Sequence, residues 1–344
     1  MTRARDTADT QDNLGGAVPP FVAGKNVLIN GAFDIWQRGT SFTADALYGA
    51  DRWINSMQTS QATISQITSS LPSGFRYGIK IQRNSGSTST TLESISQAME
   101  TVNSIPLQGQ TLVLSFWAKK GANFSDGANQ IFVRMYSGTG TDQNAASYGA
   151  WTGYTEWHTS GSVTPTTSWT RFFITGTVPS NATQIGIRIG FGPTGTAGAD
   201  DSMHIAGVQL ESGNLATPFS RAASSIGGEL ALCQRYYFRN NDSSTNFAPV
   251  CAAAITANAT QSDAYIPLPV TMRTKPSSVD FSNLSIYDYV AASGYTISNV
   301  TINSNSSPTI AVASLTFATA TSGRFIIVRG NNSASAYLGF SAEL

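Results

Sequence analysis

The chain has 344 residues, enough for two domains or one large one, and its 41% hydrophobic content is sufficient for a substantial core. Charged residues make up only 12% and the 20 basic side chains are matched by 20 acidic ones, which argues against a nucleic-acid partner and against an acidic interaction tail. No run of 18 apolar residues occurs, so membrane insertion is not expected, and the opening MTRARDTADTQDN lacks the apolar stretch of a secretory signal.

Taken in chain order, residues 1–24 combine a polar, charge-alternating stretch with LGGAVPPFVAG, a composition that buries little of its own surface and reads as an extended arm. NVLINGAFDIWQRG (26–39) begins a β region whose apolar run is cut by the Asn30-Gly31 turn. Strands are predicted at RYGIKIQR (76–83), TLVLSFWAK (111–119), IFVRMYS (131–137), SWTRFFITGTV (168–178), QIGIRIGFG (184–192) and MHIAGVQLES (203–212). LESISQAMETVN (92–103) is of mixed spacing and is assigned as strand. Gly, Ser and Thr breaks separate all of these, so residues 25–221 are expected to form a β-sandwich of the jelly-roll kind. Within SSIGGELALCQRYYFRN (224–240), Glu229 to Gln234 favour helix and the Tyr-Tyr-Phe run favours strand; residues 222–240 therefore read as a linker with a short helical turn. Residues 241–344 carry strands at 248–257, 263–272, 284–291, 295–303, 314–319, 323–330 and 336–340 and are expected to form a second, smaller β-sandwich. The fold class is all-β. The two cysteines, Cys233 and Cys251, are read as core thiols rather than a disulfide, since a disulfide-stapled scaffold would be far richer in cysteine.

Catalytic motifs are absent from this sequence. The two histidines, His158 and His204, accompany no Gly-x-Ser-x-Gly nucleophile turn, and no Cys-x-x-Cys, His-Glu-x-x-His or phosphate-cradling loop occurs. Glycan hydrolysis needs a carboxylate pair; Glu156 with Asp142, or Asp200 with Asp201, are the candidates. Asp200 and Asp201 are alternatively ligands for a structural calcium, because hard oxygen donors suit that ion, or simply a solvated turn. The aromatic-rich SYGAWTGYTEWHTSG (147–161) places Tyr148, Trp151, Tyr154 and Trp157 beside His158. Its spacing of three with interrupting glycines fits a loop between strands. Two readings stand: a sugar-binding platform on which ring faces stack, with Glu156, His158 and Gln143 supplying polar groups, or rings packed against the sandwich or a neighbouring subunit.

Four stretches together, NVLINGAFDIWQRG (26–39), ADRW (50–53), HIAGVQLESGNLATPFSR (204–221) and GGELALCQRYY (227–237), resemble a recurring pattern in bacteriophage tail-fibre and other virion structural proteins. The first and third also look like the two end strands of carbohydrate-binding-module jelly rolls, which lie side by side. The leader TRARDTADT is similar to short segments in tail fibres of cyanobacterial phages. The resemblance covers roughly residues 25–240 and implies that Trp36 and Trp53 plug the sandwich near its first corner. It further implies a non-enzymatic virion protein without a cofactor, calcium aside. The expected role is a short tail fibre or receptor-binding protein that attaches to host-surface glycans. The alternatives are a capsid decoration (cement) or head-fibre protein and a depolymerase-like tailspike. Assembly as a homotrimer, and attachment to another virion protein through residues 1–24, belong to the same expectation.

Overall fold

The computed structural model describes residues 25–57, 59–240 and 245–344; the expected arm, residues 1–24, lies outside them. The chain divides between Leu230 and Ala231 into two compact units.

Among the described residues, the first unit contains twelve strands. They begin with β1 (Ser41–Phe42), β2 (Ile54–Ser56), β3 (Ala62–Ile67), β4 (Gly78–Arg83), β5 (Glu93–Ala98) and β6 (Thr111–Lys120). They continue with β7 (Ile131–Gly138), β8 (Thr155–Glu156), β9 (Ser162–Val163), β10 (Thr170–Thr177), β11 (Gln184–Phe191) and β12 (Ser202–Ser212). Sheet A runs β1-β3-β4-β12-β6-β10 and sheet B runs β2-β5-β11-β7-β8, with β9 also on β7. The two antiparallel sheets form the jelly-roll sandwich expected from the sequence. Alternation decides which side chains meet between them. In β6, Leu112, Leu114, Phe116 and Ala118 enter the core, leaving Ser115, Trp117 and Lys119 on the outer face of sheet A. In β11, Ile185, Ile187, Ile189 and Phe191 enter the core. Yet every residue of β11 is buried, so the outer side of sheet B is covered as well. Residues 92–103, assigned as strand, divide into β5 and a one-turn helix, α1 (Thr101–Ser104).

The N-terminal segment runs beside β12 without becoming a regular strand. Its contacts are two backbone bonds, Val27 N to Leu210 O at 2.9 Å and Val208 N to Gly31 O at 2.8 Å, with the Asn26 side chain bridging Val208 O and Leu210 N between them. A Cβ at Gly31 would stand 2.0 Å from Val208 O, so only glycine fits there. Asn30 then turns the chain with φ 58°, its amide holding Ile35 O and Asp51 O. Trp53 is buried in the core and donates to Asn30 O, and Trp36 packs partly buried against the same core.

Helix α2 (Ile226–Gln234) and strand β13 (Tyr237–Asn240) occupy the expected linker. The remaining strands are β14 (Pro249–Thr256), β15 (Gln261–Pro267), β16 (Ser278–Ser282), β17 (Leu284–Asp288) and β18 (Ser293–Ile302). After them come β19 (Ile310–Phe317), β20 (Phe325–Gly330) and β21 (Tyr337–Ser341). In the second unit, six strands close into a barrel in the order β14-β15-β19-β18-β17-β20, and β13-β21-β16 form a separate three-stranded sheet. The unit is all-β as expected, but its edges are joined rather than open. Closure is accommodated by a narrow interior: Ala254, Ala264, Ala311 and Ala313 alternate there with Ile266, Ile286, Leu315 and Val328. Neither Cys233 nor Cys251 is in a disulfide, and burial pushes the Cys251 thiol up to about 12.

His204 projects from β12 onto the outer face of sheet A, opposite Lys80 on one side and Lys119 on the other. Burial, reinforced by the two lysine charges, lowers its pKa from 6.5 to about 4. The unfolded chain therefore binds this proton first, and the folded state loses stability as pH falls from about 6.5 to about 4. Thermal melts across that window should show the loss in the wild type and a flatter profile in His204→Gln; an identical pH slope in both would overturn the assignment.

Candidate functional site

The outer face of sheet B is built around Tyr136. Alternation along β7 puts Phe132, Arg134 and Tyr136 on this face, and the register sets Gly190, Arg188 and Gly186 of β11 beside them. The Tyr136 ring lies across Gly186, where a Cβ would come within 2.6 Å of the ring. Three more rings gather on it: Trp151 edge-on at 4.9 Å, Tyr148 at 5.1 Å and Tyr154 at 6.0 Å. Tyr136 is fully buried, and burial raises its phenol well above the ordinary tyrosine value.

The connection between β7 and β8 brings these rings in. Asn144 caps a short 3-10 segment by accepting from Ala146 N, and its carbonyl accepts from the Trp151 indole at 2.8 Å. The Gln143 side chain accepts from Thr152 N at 3.0 Å, so its amide oxygen holds the loop rather than facing solvent. Trp151 is 4% exposed, whereas Tyr148 and Tyr154 remain partly open.

Polar groups surround the open rings. Tyr154 donates to Glu156 Oε1 at 2.6 Å, His158 Nε2 meets Glu156 Oε2 at 2.9 Å, and Arg134 pairs with the same oxygen at 3.3 Å. Burial alone would raise the Glu156 carboxyl, but the bonds from Tyr154 and His158 and the Arg134 charge outweigh it and hold it below the usual range. Arg188 donates to Ser94 Oγ at 2.7 Å and to the Tyr148 hydroxyl, with its guanidinium 4.7 Å from the Tyr148 ring centre. The result is two fixed, half-open aromatic rings bordered by a carboxylate and two guanidiniums. Such a surface can stack a sugar ring and take its hydroxyls.

Of the residues singled out from the sequence, Tyr148, Trp151 and Tyr154 come together here and His158 touches them through Glu156. Trp157 does not: it belongs to the sandwich core at 8% exposure. Its backbone is pressed against β10, where a Cβ at Gly176 would stand 1.8 Å from Trp157 O. Phe132, Arg134, Tyr136 and Arg188 are members of the face that sequence reasoning missed. The period-two pattern of IFVRMYS, read for its outward side rather than its inward one, carries the signal for three of them.

The suggested calcium ligands have other partners. Asp201 is fully buried and pairs with the fully buried Arg83 at 2.7 Å, while Ser125 donates to it through both N and Oγ. Arg83 also reaches Ser87 O, Ser89 O and Gly195 O, tying the β4–β5 and β11–β12 loops to one edge of the sandwich. Asp200 accepts from Ala122 N and Ser202 Oγ and stands 3.5 Å from Lys80. The two carboxylates thus face different cations supplied by the chain itself, and no group of three or more metal-ligating side chains occurs among the described residues. The carboxylates proposed as a hydrolytic pair are also separately engaged, Asp142 accepting from Thr101 N at 2.8 Å and Glu156 held in the network above. Removing one member of a buried pair costs about 3–5 kcal/mol. Asp201→Ala should therefore lower the melting temperature sharply, while EDTA leaves the wild type unchanged; a chelator-induced drop would restore the calcium assignment.

No protein-family model matches the sequence, and no curated protein matches it. Among solved structures, the chain is similar to a CBM4 carbohydrate-binding module (18% identity, TM-score 0.34, covering 54% of this chain and 98% of that one). It is similar to the tandem CBM22-1–CBM22-2 domain of Paenibacillus barcinonensis Xyn10C (10% identity, TM-score 0.33, covering 93% and 96%). It is also similar to the enzymatically active domain of tailspike protein 4 of bacteriophage CBA120 (12% identity, TM-score 0.34), where 54% of this chain matches 21% of the tailspike chain.

Proposed function

We propose that the first unit is a glycan-binding module of a phage virion protein, a short tail fibre or receptor-binding protein, and that glycan docks on the outer face of sheet B. One observation carries the binding proposal: Tyr148 and Tyr154 stand half-open on a buried Tyr136, beside the Glu156–Arg134 pair. Support for the virion role is the resemblance of residues 26–39, 50–53, 204–221 and 227–237 to phage structural proteins. A capsid decoration or head-fibre protein would share these stretches, and labelling intact particles distinguishes the two by position. Binding without hydrolysis is the activity proposed, since neither suggested acid pair is arranged as one.

Each stacked ring contributes about 1 kcal/mol, so two rings alone give only weak affinity, about 30 mM per chain. Several copies on one particle multiply that by about 10²–10⁴ when linkers allow simultaneous contact. The face separates binding from packing. Tyr154→Ala with Arg134→Ala should reduce adsorption to host cells with little change in melting temperature. Trp151→Ala, which empties a buried site, should instead cost about 3 kcal/mol. Unchanged adsorption of the folded Tyr154/Arg134 double variant would eliminate this face.

Assembly into a homotrimer, with residues 1–24 docking on another virion protein, completes the proposal. It is supported by the exposed apolar set Ile255, Tyr265 and Phe325 on adjacent strands of the second unit's barrel, 52%, 59% and 68% exposed. Light scattering on the full chain should give three chain masses. Deletion of residues 1–24 should preserve that mass yet abolish incorporation into particles; a monomer, or normal incorporation, would refute the corresponding half.

A further inference from the structure

The outer face of sheet A is covered by two loops with a cleft between them. The return segment after β12 folds back over the sheet. Gln209 and Glu211 hold it there: Thr217 donates to Glu211 through N and Oγ, and Ser220 N donates to Gln209 Oε1. From the other side comes the β3–β4 loop, whose Phe75 packs over Gly207 and meets Phe219 edge-on at 5.0 Å. Gly207 has φ 58° at a bulge in β12, and a Cβ there would stand 2.2 Å from the Phe75 ring. The cleft that remains is about 390 Å³, lined by Trp117 and Arg171 from the strands and by Phe75, Pro218, Phe219 and Arg221 from the loops. That volume lies within the range of small-ligand sites, roughly 300–1,000 Å³.

The charge of this lining is one-sided. Two guanidiniums line the cleft and no carboxylate does. Arg171 is fixed in place through Nη2, which donates to Ser115 Oγ at 3.0 Å and to Thr217 O. Its Nε and Nη1 make no hydrogen bond among the described residues, and burial depresses its pKa from the ordinary arginine value. Arg221 pairs through Nε with Asp34 at 2.8 Å, leaving its Nη groups without a hydrogen bond among the described residues. The acids nearest by sequence and contact are already committed, Glu211 to Thr217 and Lys25 and Asp34 to Arg221. A guanidinium held in one orientation with free N–H groups presents the two-pronged donor geometry that carboxylates match. The indole and phenyl faces alongside it favour a ring with apolar C–H surface.

We propose that this cleft is a second ligand site, on the opposite sheet from the first, and that it takes an acidic sugar: the ring against Trp117 and Phe75, the carboxylate on Arg171 and Arg221. This assignment does not rest on the glycan face of sheet B.

Titration of the full chain with D-glucuronate, followed by tryptophan fluorescence and by calorimetry, tests it, with D-glucose and sodium acetate as the parallel probes. Glucuronate should bind saturably and at least tenfold more tightly than either glucose or acetate. Arg171→Gln should weaken glucuronate at least tenfold. Because that change also removes the bond to Thr217 O, Arg221→Gln is the second variant; it gives up the charge beside Asp34, so its melting temperature falls, and it should weaken glucuronate binding at temperatures where it remains folded. The Tyr154/Arg134 double variant of sheet B should bind glucuronate as the wild type does, so failure of either site is distinguishable from failure of the other. Absence of saturable glucuronate binding, equal binding of glucose or acetate, or wild-type affinity in Arg221→Gln would overturn the proposal.

Discussion

A tyrosine laid over a glycine organises the outer face of sheet B. Tyr136 points away from the sandwich core, where a side chain would ordinarily meet water, yet it is fully buried because Gly186 beneath it has no Cβ and the 144–154 loop closes above it. Its hydroxyl finds no partner among the described residues, and a buried orphan of that kind costs about 1–3 kcal/mol. Burial of four rings against one another offsets that cost. Without Gly186 the ring would lift. Trp151 and Tyr154 would then lose their seat, and the Glu156–His158–Arg134 network would lose the hydroxyl that orients it.

Polar side chains do for the ends of the sandwich what aromatic rings do for its face. The N-terminal segment makes only a few backbone bonds to β12, and the gaps are filled by amides and carboxylates. Asn26 bridges two residues of β12; Gln97 pairs with both the N–H and the carbonyl of Ile29. Glu229 accepts from Asn30 N with one oxygen and Ala223 N with the other. Burial of Glu229 raises its pKa despite those two bonds, the signature of a carboxylate kept for geometry at some electrostatic cost. Gln209 and Glu211 serve the return segment in the same way. The Asn-Gly turn, the Gln-Leu-Glu close and the glutamate of Gly-Gly-Glu are therefore largely fasteners.

Long strands with a clear inner face were legible in the sequence, because eight to eleven residues of alternation leave a pattern. β6, β7, β10, β11 and β12 all fell where expected. β3 was not seen: ATISQI is short and half polar, and only Ala62 and Ile64 belong to the buried core. β1, β8 and β9 are two residues each and exist only through their partners. Barrel closure in the second unit depends on which strands pair at the seam, β14 with β20, and periodicity does not encode that choice. The same limit governed the site. Spacing brought Tyr148, Trp151 and Tyr154 into view, but it could not say that Trp157, three residues on, crosses to the core. Nor could it show that the cation awaiting Asp201 is an arginine 118 residues away.

Balanced totals conceal an uneven distribution of charge. Twenty acids and twenty bases leave no net field to draw a distant charged partner. Many acids, however, are spent internally. Asp201 neutralises Arg83, Asp51 holds Gln37, Glu211 holds Thr217 and Lys25, and Glu229 holds two backbone amides. Structural carboxylates of this kind leave arginines in modest local excess on both outer faces. Arg134 and Arg188 sit among the rings of sheet B with Glu156 as their near acid, and Arg171 and Arg221 line the cleft of sheet A with none in the lining. Recognition on such surfaces acts at contact distance, through bidentate hydrogen bonds and ring stacking. A long-range field contributes little at physiological ionic strength, where the screening length is about 8 Å. Any affinity of these faces would then be set by how rigidly each ring and guanidinium is pre-positioned, and rigid placement is what the glycine-seated Tyr136 and Phe75 confer on their respective faces.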